Sequence, residues 1–251
     1  MTERTVFRNP QGRRRTLTLS FSGVDGAGKS TQIEHLIAWL SDRGYRVCVY
    51  RFWNDVARLT RLREGTGHTI FKGDKGIGSP EKPISRRDKN VRGWMMTWLR
   101  LFLYLVDAIH LRKVFKRATR GDLDCAIFDR YMYDELANLS LGSSLINTYV
   151  RSIMRIVPRP DVSFILDADP QSARARKPEY PLDFIRINRL AYLHLNRMIG
   201  GFTILAPMNI EAAKNEVTRC AQSALELSLS QDTELPHSFG DRRAHTGPAV
   251  S

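Results

Sequence analysis

The chain has 251 residues, of which 42% are hydrophobic, and it carries a formal net charge of +13. This length and apolar content suffice for one substantial α/β core. The three cysteines, Cys48, Cys125 and Cys220, lie far apart without C-x-x-C spacing, so neither a zinc site nor a disulfide framework is indicated. We therefore expect a reducing, cytoplasmic location. No apolar stretch precedes the first predicted strand, as a secretory signal would require.

Positive charge is concentrated at 13–15, 86–92 and 112–120. Nucleic acid, an anionic membrane or a polyphosphate substrate could each use such charge. We favour a solvated, highly charged surface, because no RNP, KH or zinc-finger pattern accompanies it. Nucleic acid is therefore not an expected partner.

The first predicted strand leads directly into a glycine-rich loop. Residues 1–15 are a basic, polar arm that we expect to be disordered. Alternating Leu17, Leu19 and Phe21 predict a strand, which runs into 23–30, GVDGAGKS. This segment has the G-x-x-x-x-G-K-[ST] spacing of a P-loop, whose backbone N–H groups surround a polyphosphate at the start of a helix.

The P-loop assigns roles to its residues. Lys29 is expected to reach the β- and γ-phosphates and Ser30 to ligate Mg²⁺. A chance glycine-rich turn is the alternative, but a strand precedes the loop and apolar residues follow at helical spacing. The residues predicted to bind the nucleotide phosphates are Gly23, Gly26, Ala27, Gly28, Lys29, Ser30 and Thr31.

A helix at about 29–42 and a strand at 46–51 follow. In an open parallel sheet, ligands bind at the carboxyl ends of the strands. Arg51, Phe52 and Trp53 are therefore candidates to line an acceptor pocket, although ordinary aromatic packing would also explain them. Glycine, proline and charge at 64–93 predict a flexible loop or insertion.

The stretch 94–111 is strongly apolar and nearly long enough to span a membrane. Arg100 and Asp107 lie inside it, seven residues apart and roughly on one helix face, and a charged pair is costly at bilayer depth. We therefore predict a core helix that continues to about Arg120, with its polar stripe toward the active site.

A short apolar run at 125–128 predicts a central strand buried on both faces. Asp129 follows at its end, where a carboxylate beside a P-loop holds Mg²⁺ through water, and Arg130 would lie beside the transferring phosphoryl group. Helices at about 133–141 and 143–156 and a strand at 163–166 come next.

Three cations, Arg174, Arg176 and Lys177, follow that strand. Such a cluster suits a short closing lid that neutralises phosphoryl charge. A helix at 182–199, a strand at 202–205 and a closing helix at 210–227 complete the predicted domain. The polar segment 228–251 is predicted to be a disordered tail.

Three segments together resemble the thymidylate kinase family of P-loop nucleoside monophosphate kinases. They are FSGVDGAGKSTQ at 21–32, Asp129-Arg130-Tyr131, and the run from Leu166 to Arg176. The resemblance covers 16–227 and implies an α/β P-loop NTPase fold: a five-stranded parallel sheet, helices on both faces and a short arginine-bearing lid. It also implies ATP with Mg²⁺ as donor and a small phosphate-bearing acceptor.

Residue by residue, the resemblance gives Lys29 and Ser30 the phosphate and metal roles. Asp129 takes the metal-linked role, while Arg130 and Tyr131 fall at the acceptor. Because the P-loop has Gly26-Ala27 instead of an arginine, the resemblance points to a catalytic arginine in the lid. Arg176 aligns best, with Arg174 and Lys177 as helpers, and the turn ending at Asn209 would lie along the adenine.

The departures from the family all fall on the acceptor side. An acidic-Pro-Gly turn is replaced after the second strand, Asp107 stands where the family has a phosphate-binding arginine, and 64–93 has no counterpart. Arg51 or Arg100 could compensate for Asp107. We therefore expect that dTMP is not the best acceptor, and that Asp25 or Asp107 would orient a neutral hydroxyl acceptor.

The sequence thus predicts an ATP-dependent phosphotransferase with a nucleoside monophosphate such as dTMP, or a related metabolite, as acceptor. A kinase of a non-nucleotide hydroxyl and a non-catalytic nucleotide-binding module with a basic surface are the alternatives. The sequence leaves a homodimer open, and no transmembrane span is expected.

Overall fold

The computed structural model of the chain describes residues 15–57 and 94–233. The loop predicted at 64–93 lies outside the described residues. The same holds for the predicted arm except for Arg15, and for the predicted tail beyond Thr233.

Five parallel strands form one sheet in the spatial order β2-β3-β1-β4-β5. In chain order they are β1 (Leu17–Gly23), β2 (Val47–Arg51), β3 (Cys125–Asp129), β4 (Val162–Leu166) and β5 (Thr203–Leu205). The central strand β1 is buried along its whole length. Its register pairs Phe21 with Asp129 and Gly23 with Leu166, so the carboxyl ends of β1, β3 and β4 meet at one edge.

Seven α-helices connect and flank the described strands. They are α1 (Lys29–Asp42), α2 (Trp94–Arg120), α3 (Met132–Leu136), α4 (Ser144–Ile156), α5 (Pro170–Arg176), α6 (Leu182–Ile199) and α7 (Ile210–Thr233). Helices α1 and α7 pack on one face of the sheet, and α2, α3, α4 and α6 pack on the other. Side chains of β3 alternate between the two faces: Ile127 packs with α1 and α7, and Phe128 packs with the helices on the other face. The predicted α/β fold, with a parallel sheet between two helical layers, is confirmed.

The long apolar helix packs as a core helix. Tyr104, Ala108 and Leu111 of α2 are buried in the cluster that covers the sheet. No helix within the described residues combines the length and the apolar composition that crossing a bilayer requires.

A single π-helical turn, Phe52–Val56, follows β2. The Ala57 N–H donates to the Phe52 carbonyl over 2.7 Å, and the Val56 carbonyl lies 2.7 Å from His110 Nδ1 of α2. Phe52 and Val56 are buried, whereas Trp53 is 45% exposed. The turn therefore presents Trp53 at the carboxyl edge of the sheet.

Two predicted helix ends are wrong. The helix predicted at 133–141 is the short α3, because backbone N–H groups of Asn138 and Leu139 bond the carbonyls three residues earlier and close a tight turn. The closing helix runs to Thr233, six residues past its predicted end. Ser228 does not end it, because its buried hydroxyl donates to the Ala224 carbonyl over 2.9 Å.

Candidate active site

The P-loop turns from β1 into α1 and holds a buried lysine at its centre. Gly28 has φ 91° at the start of the helix, a conformation that glycine adopts without strain. Lys29 Nζ donates to the carbonyls of Gly23 (2.7 Å) and Val24 (2.9 Å). Burial, and then the charge of Arg130, lower the pKa of Lys29 to about 8. The lysine thus rests against its own loop, beside the position expected for phosphates.

An aspartate and an arginine meet where β3 ends. Arg130 has φ 68°, and no other non-glycine residue in the described part of the chain has a positive φ. Such a conformation costs about 1–3 kcal/mol. Its N–H donates to the Phe21 carbonyl (3.0 Å), and its guanidinium pairs with Asp25 of the P-loop. Burial opposes ionisation of Asp25, but Arg130 and Lys29 outweigh it and lower the pKa of Asp25. The strained turn thus fixes a charge pair against the P-loop.

A second carboxylate, Asp134 of α3, is buried beside this pair. It accepts hydrogen bonds from Ser22 Oγ (2.6 Å), Tyr192 Oη (2.8 Å) and the Tyr131 N–H (2.9 Å). Burial works against the charge of Arg130, but Asp134 and then Asp25 raise the pKa of the guanidinium above its usual range. β1, α3 and α6 are therefore joined through one carboxylate.

The predicted lid contains the short helix α5. Asp169 caps it by accepting from the Ser172 N–H over 2.9 Å. Arg176 Nε donates to the Ser172 carbonyl (3.1 Å), and its Nη1 lies 4.0 Å from where a Cβ on Gly28 would be. The carboxylate of Asp167, before the lid, accepts hydrogen bonds from Nε (2.5 Å) and Nη2 (2.7 Å) of Arg189 in α6. Arg176 is thus held close to the P-loop.

Two cavities are lined by different residues of the P-loop. The first, which we call the α6 cavity, has a volume of about 190 Å³. Its described lining consists of Gly23, Val24, Asp25, Trp53, Arg130, Asp134, Glu135, Asn138, Tyr180, Phe184, Ile185, Asn188 and Tyr192.

The second, which we call the lid cavity, has a volume of about 130 Å³. Ala27 and Gln32 line it from the P-loop side, Arg176 from the lid, and the turn Ala206 to Met208 from the end of β5. Gln32 Oε1 is buried and has no hydrogen-bond partner among the described residues. Such an unsatisfied acceptor suits a ligand that donates a hydrogen bond.

The structure brings together the predicted donor-side residues. Ser30 and Thr31 lie exposed in the first turn of α1, and Asp129 is half-buried at the end of β3. Arg174 is exposed on α5. Asn209 is placed differently from the prediction: its Oδ1 accepts from the Ala212 N–H (2.7 Å), so its side chain caps α7 instead of lining the lid cavity.

On the acceptor side, Trp53 alone of the aromatic candidates lines the α6 cavity. Phe52 is 1% exposed within the core, and Tyr131 is fully buried with its hydroxyl donating to the Pro158 carbonyl (2.6 Å). The prediction that these two side chains line the pocket is corrected, because aromatics at strand ends here complete the core.

The charged acceptor candidates are also displaced from this cavity. Asp107 is fully buried in α2, where it raises the pKa of Tyr149, after the larger effect of burial. Arg51 is exposed, and its backbone N–H donates to Asp55 Oδ2 (2.6 Å); Arg100 is half-buried on α2. None of the three belongs to the described lining, so Asp107 does not carry the predicted repulsion of an acceptor phosphate.

Sequence reasoning missed the wall that α6 and the residues just before it contribute. Tyr180, Phe184, Asn188 and Tyr192 all line the cavity and recur at intervals of four residues. That spacing is typical of one helix face, and a stripe of aromatic and amide side chains was the available signal. A second available signal was the pair of adjacent carboxylates, Asp134 and Glu135, that follows an apolar strand and its turn.

Comparisons with known proteins show what the chain is similar to. A model of the methylmalonyl Co-A mutase-associated GTPase MeaB matches residues 6–52, which include the P-loop. A thymidylate kinase from Prochlorococcus marinus is 28% identical over 75% of this chain and 80% of its own length. The probable thymidylate kinase from Thermococcus kodakarensis is 29% identical over 81% of this chain and 96% of its own.

Among solved structures, thymidylate kinase from Ehrlichia chaffeensis aligns with 82% of this chain and 98% of its own, at 18% identity and a TM-score of 0.49. The sequence relatives extend far beyond the P-loop, through the strand-end Asp129-Arg130 and the lid. The chain is therefore a P-loop kinase that resembles thymidylate kinases over most of its length.

Proposed function

We propose that this kinase transfers the γ-phosphoryl group of MgATP, bound in the lid cavity and P-loop, to a small acceptor in the α6 cavity. The observation that carries the proposal is that one P-loop lines two separate cavities, one through Gly23 to Asp25 and the other through Ala27. Transfer of a phosphoryl group needs a donor and an acceptor bound next to each other, and two cavities that share one loop would suit that need.

On the donor side, Lys29 would leave the carbonyls of Gly23 and Val24 and bind the β- and γ-phosphates. The lid cavity would hold the base, where Gln32 Oε1 supplies an unsatisfied acceptor for an amino group such as that of adenine. Arg176, beside Gly28, would neutralise charge that grows on the phosphoryl oxygens, with Arg174 next to it on α5.

The oxygen donors of Ser30 and Asp129 fit Mg²⁺, a hard cation. Within 15–57 and 94–233 there is no cluster of three or more His, Cys, Asp or Glu side chains that could hold a metal ion. When bound, Mg²⁺ offsets negative charge on the phosphates.

The similarity to thymidylate kinases suggests a nucleoside monophosphate acceptor, and an uncharged hydroxyl compound is the other acceptor class that a kinase of this kind could use. A non-catalytic nucleotide-binding module is less well supported, since pure binding does not need a buried lysine, a strand-end carboxylate and a lid arginine on one P-loop.

The test is a transfer assay with γ-labelled ATP and Mg²⁺ over nucleosides, nucleoside monophosphates and sugars, with the Lys29→Ala variant in parallel. Label should appear on an acceptor with the wild-type chain and fall to background with the variant. Labelled product at equal rates from both chains would exclude the P-loop from the reaction.

A further inference from the structure

Two cations, Lys29 and Arg130, lie close together at the P-loop. Burial lowers the pKa of Lys29, and the positive charge of Arg130 lowers it further, so the two side chains repel each other. Arg130 is paired with Asp25, which supplies one opposite charge. Like charges at short range destabilise each other unless opposite charge lies nearby. We therefore asked which other carboxylate acts on both cations.

Asp134 supplies opposite charge to both of them. Burial opposes the charge of Arg130, whereas Asp134, and after it Asp25, raises the pKa of the guanidinium above its usual range. For Lys29, the largest effect that opposes the lowering of its pKa is the charge of Asp134. Asp134 thus attracts the two cations together and offsets their mutual repulsion.

The carboxylate of Asp134 is held in place by donors from three parts of the fold. Its Oδ2 accepts from Ser22 Oγ of β1 (2.6 Å) and from the N–H of Tyr131, the residue before α3 (2.9 Å). Its Oδ1 accepts from Tyr192 Oη of α6 (2.8 Å). All three partners donate, which suits an ionised carboxylate. Asp134 is only 6% exposed, so its charge is screened less than a surface charge would be.

We infer that Asp134 is a positioning residue of the transfer reaction, whose fixed charge keeps Arg130 beside Lys29 at the P-loop. The inference rests on the proposed function, since it concerns the same phosphoryl transfer. Asp134 acts through the two cations, and the phosphates of the donor are expected to meet those cations already placed.

This role predicts different effects on turnover and on nucleotide affinity. Without the charge of Asp134, Lys29 and Arg130 repel each other more, and Asp25 alone holds the guanidinium. Fewer complexes then have both cations in position to neutralise the charge that grows during transfer, which lowers kcat. The loss of a nearby carboxylate also removes a repulsion of the anionic nucleotide, so the KM for MgATP should not rise.

The test is Asp134→Asn, which removes the charge and can keep the three hydrogen bonds. The new carbonyl oxygen can accept from Ser22 Oγ and the Tyr131 N–H, and the new amide can donate to Tyr192 Oη. We measure kcat and KM with γ-labelled MgATP and the compound that accepts label in the panel of nucleosides, nucleoside monophosphates and sugars. The Kd for MgADP and the Tm complete the set.

We expect kcat to fall at least about tenfold, while the KM for MgATP and the Kd for MgADP do not rise. The Tm should stay within about 3 °C of wild type, because the hydrogen bonds are kept. A residue that only stabilises the fold would instead change Tm and leave kcat unaltered. A wild-type kcat in Asp134→Asn overturns the inference, as does a loss confined to KM.

Two control variants separate charge from hydrogen bonding and from burial. Ser22→Ala removes one hydrogen bond and keeps the charge, so kcat should stay within about threefold of wild type while the Tm falls. Asp124→Asn neutralises another buried carboxylate, just before β3 at the opposite edge of the sheet, where it accepts from the Arg46 N–H over 2.8 Å. It should leave kcat unchanged. A loss of kcat in either control as large as that in Asp134→Asn contradicts the inference.

Should Asp134→Asn fail to fold, Asp134→Ser replaces it. Serine removes the same charge and leaves a hydroxyl for the Tyr131 N–H, and the same split between kcat and KM is expected; an unchanged kcat contradicts the inference. The two proposals fail differently. Label transfer by the wild-type chain at no more than the Lys29→Ala background refutes the kinase reaction, whereas transfer that proceeds equally well without the charge of Asp134 leaves the kinase intact and refutes only the positioning role.

Discussion

We expect Lys29 to be the residue whose charge the reaction needs most. It is buried among Asp25, Asp129 and Asp134 but bonded only to backbone carbonyls in the structure. Because it would neutralise charge that grows on the bridging and γ oxygens, Lys29→Ala should lower turnover by two to three orders of magnitude or more, about 3–4 kcal/mol of barrier. Single-turnover rates measure this loss, and Lys214→Ala on the surface of α7, paired there with Glu211, should cost nothing measurable.

The lowered pKa of Lys29 predicts that nucleotide binding takes up a proton. A folded-state value of about 8, against 10.5 ordinarily, means that the folded apo chain holds fewer protons than an unfolded chain between pH 8 and 10.5. The free energy of unfolding therefore increases as pH rises through that window. Bound phosphates restore the charge, so ATP binding at pH 8.5 should take up about 0.75 proton. Calorimetry in buffers of different ionisation enthalpy measures this proton uptake, and Lys29→Met should abolish the uptake.

Arg176 is expected to act on the transition state. It is held by the Ser172 carbonyl near Gly28 without a carboxylate partner among the described residues, so its charge is available to a phosphoryl group. Arg176→Ala should lower kcat about 10²- to 10³-fold and change ATP affinity little. Arg155→Ala, an exposed cation on α4, is the matched control. A loss confined to the KM for ATP would instead make Arg176 a ground-state clamp.

At the scale of elements, the P-loop and the lid helix touch through backbone. Gly26 has φ 85°, and a Cβ built on it would lie 2.4 Å from the Ala173 carbonyl oxygen of α5. The family resemblance raised the question of an arginine in the P-loop. An arginine in place of Gly26 would displace the lid helix. We therefore expect a catalytic arginine on α5 and not at the position of Gly26.

Gly26→Ala should accordingly destabilise the fold by about 1–3 kcal/mol and weaken ATP binding, because it combines a strained φ with a backbone clash. Urea unfolding and nucleotide titration measure the two effects. Gly142→Ala is the matched control, since no heavy atom lies within 4 Å of its Cβ position, and it should change stability by less than about 0.5 kcal/mol. Equal effects of the two substitutions would exclude the clash.

Most elements were predictable from the sequence because each has its own local pattern. The bounds predicted for α1, α2 and α6 match the structure, since apolar spacing and the glycines after them are local signals. The acceptor wall was not predictable in the same way. It forms where α3 and α6 meet at Asp134 and Tyr192, which are 58 residues apart, and a single sequence gives no pairing between them.

At the scale of the whole molecule, the strand order carries the site. With β1 between β3 and β4, the P-loop, Asp129 and the lid start from neighbouring strands and necessarily converge. The resemblance implied the five-stranded parallel sheet, whereas the net charge of +13 gives no hint that three carboxylates line the α6 cavity. Local charge depends on which side chains the fold brings together.

Because the nucleotide would contact β1, α1, α5 and the turn after β5 at once, its binding should stabilise the whole domain and not one loop. At a concentration of one hundred times its Kd, MgATP should add about 2.7 kcal/mol and raise Tm by about 5–10 °C. Differential scanning calorimetry tests this against the Lys29→Ala chain, whose weaker phosphate contacts should shrink the shift. A rise of the same size in both chains would mean that the nucleotide stabilises the fold without engaging the P-loop lysine.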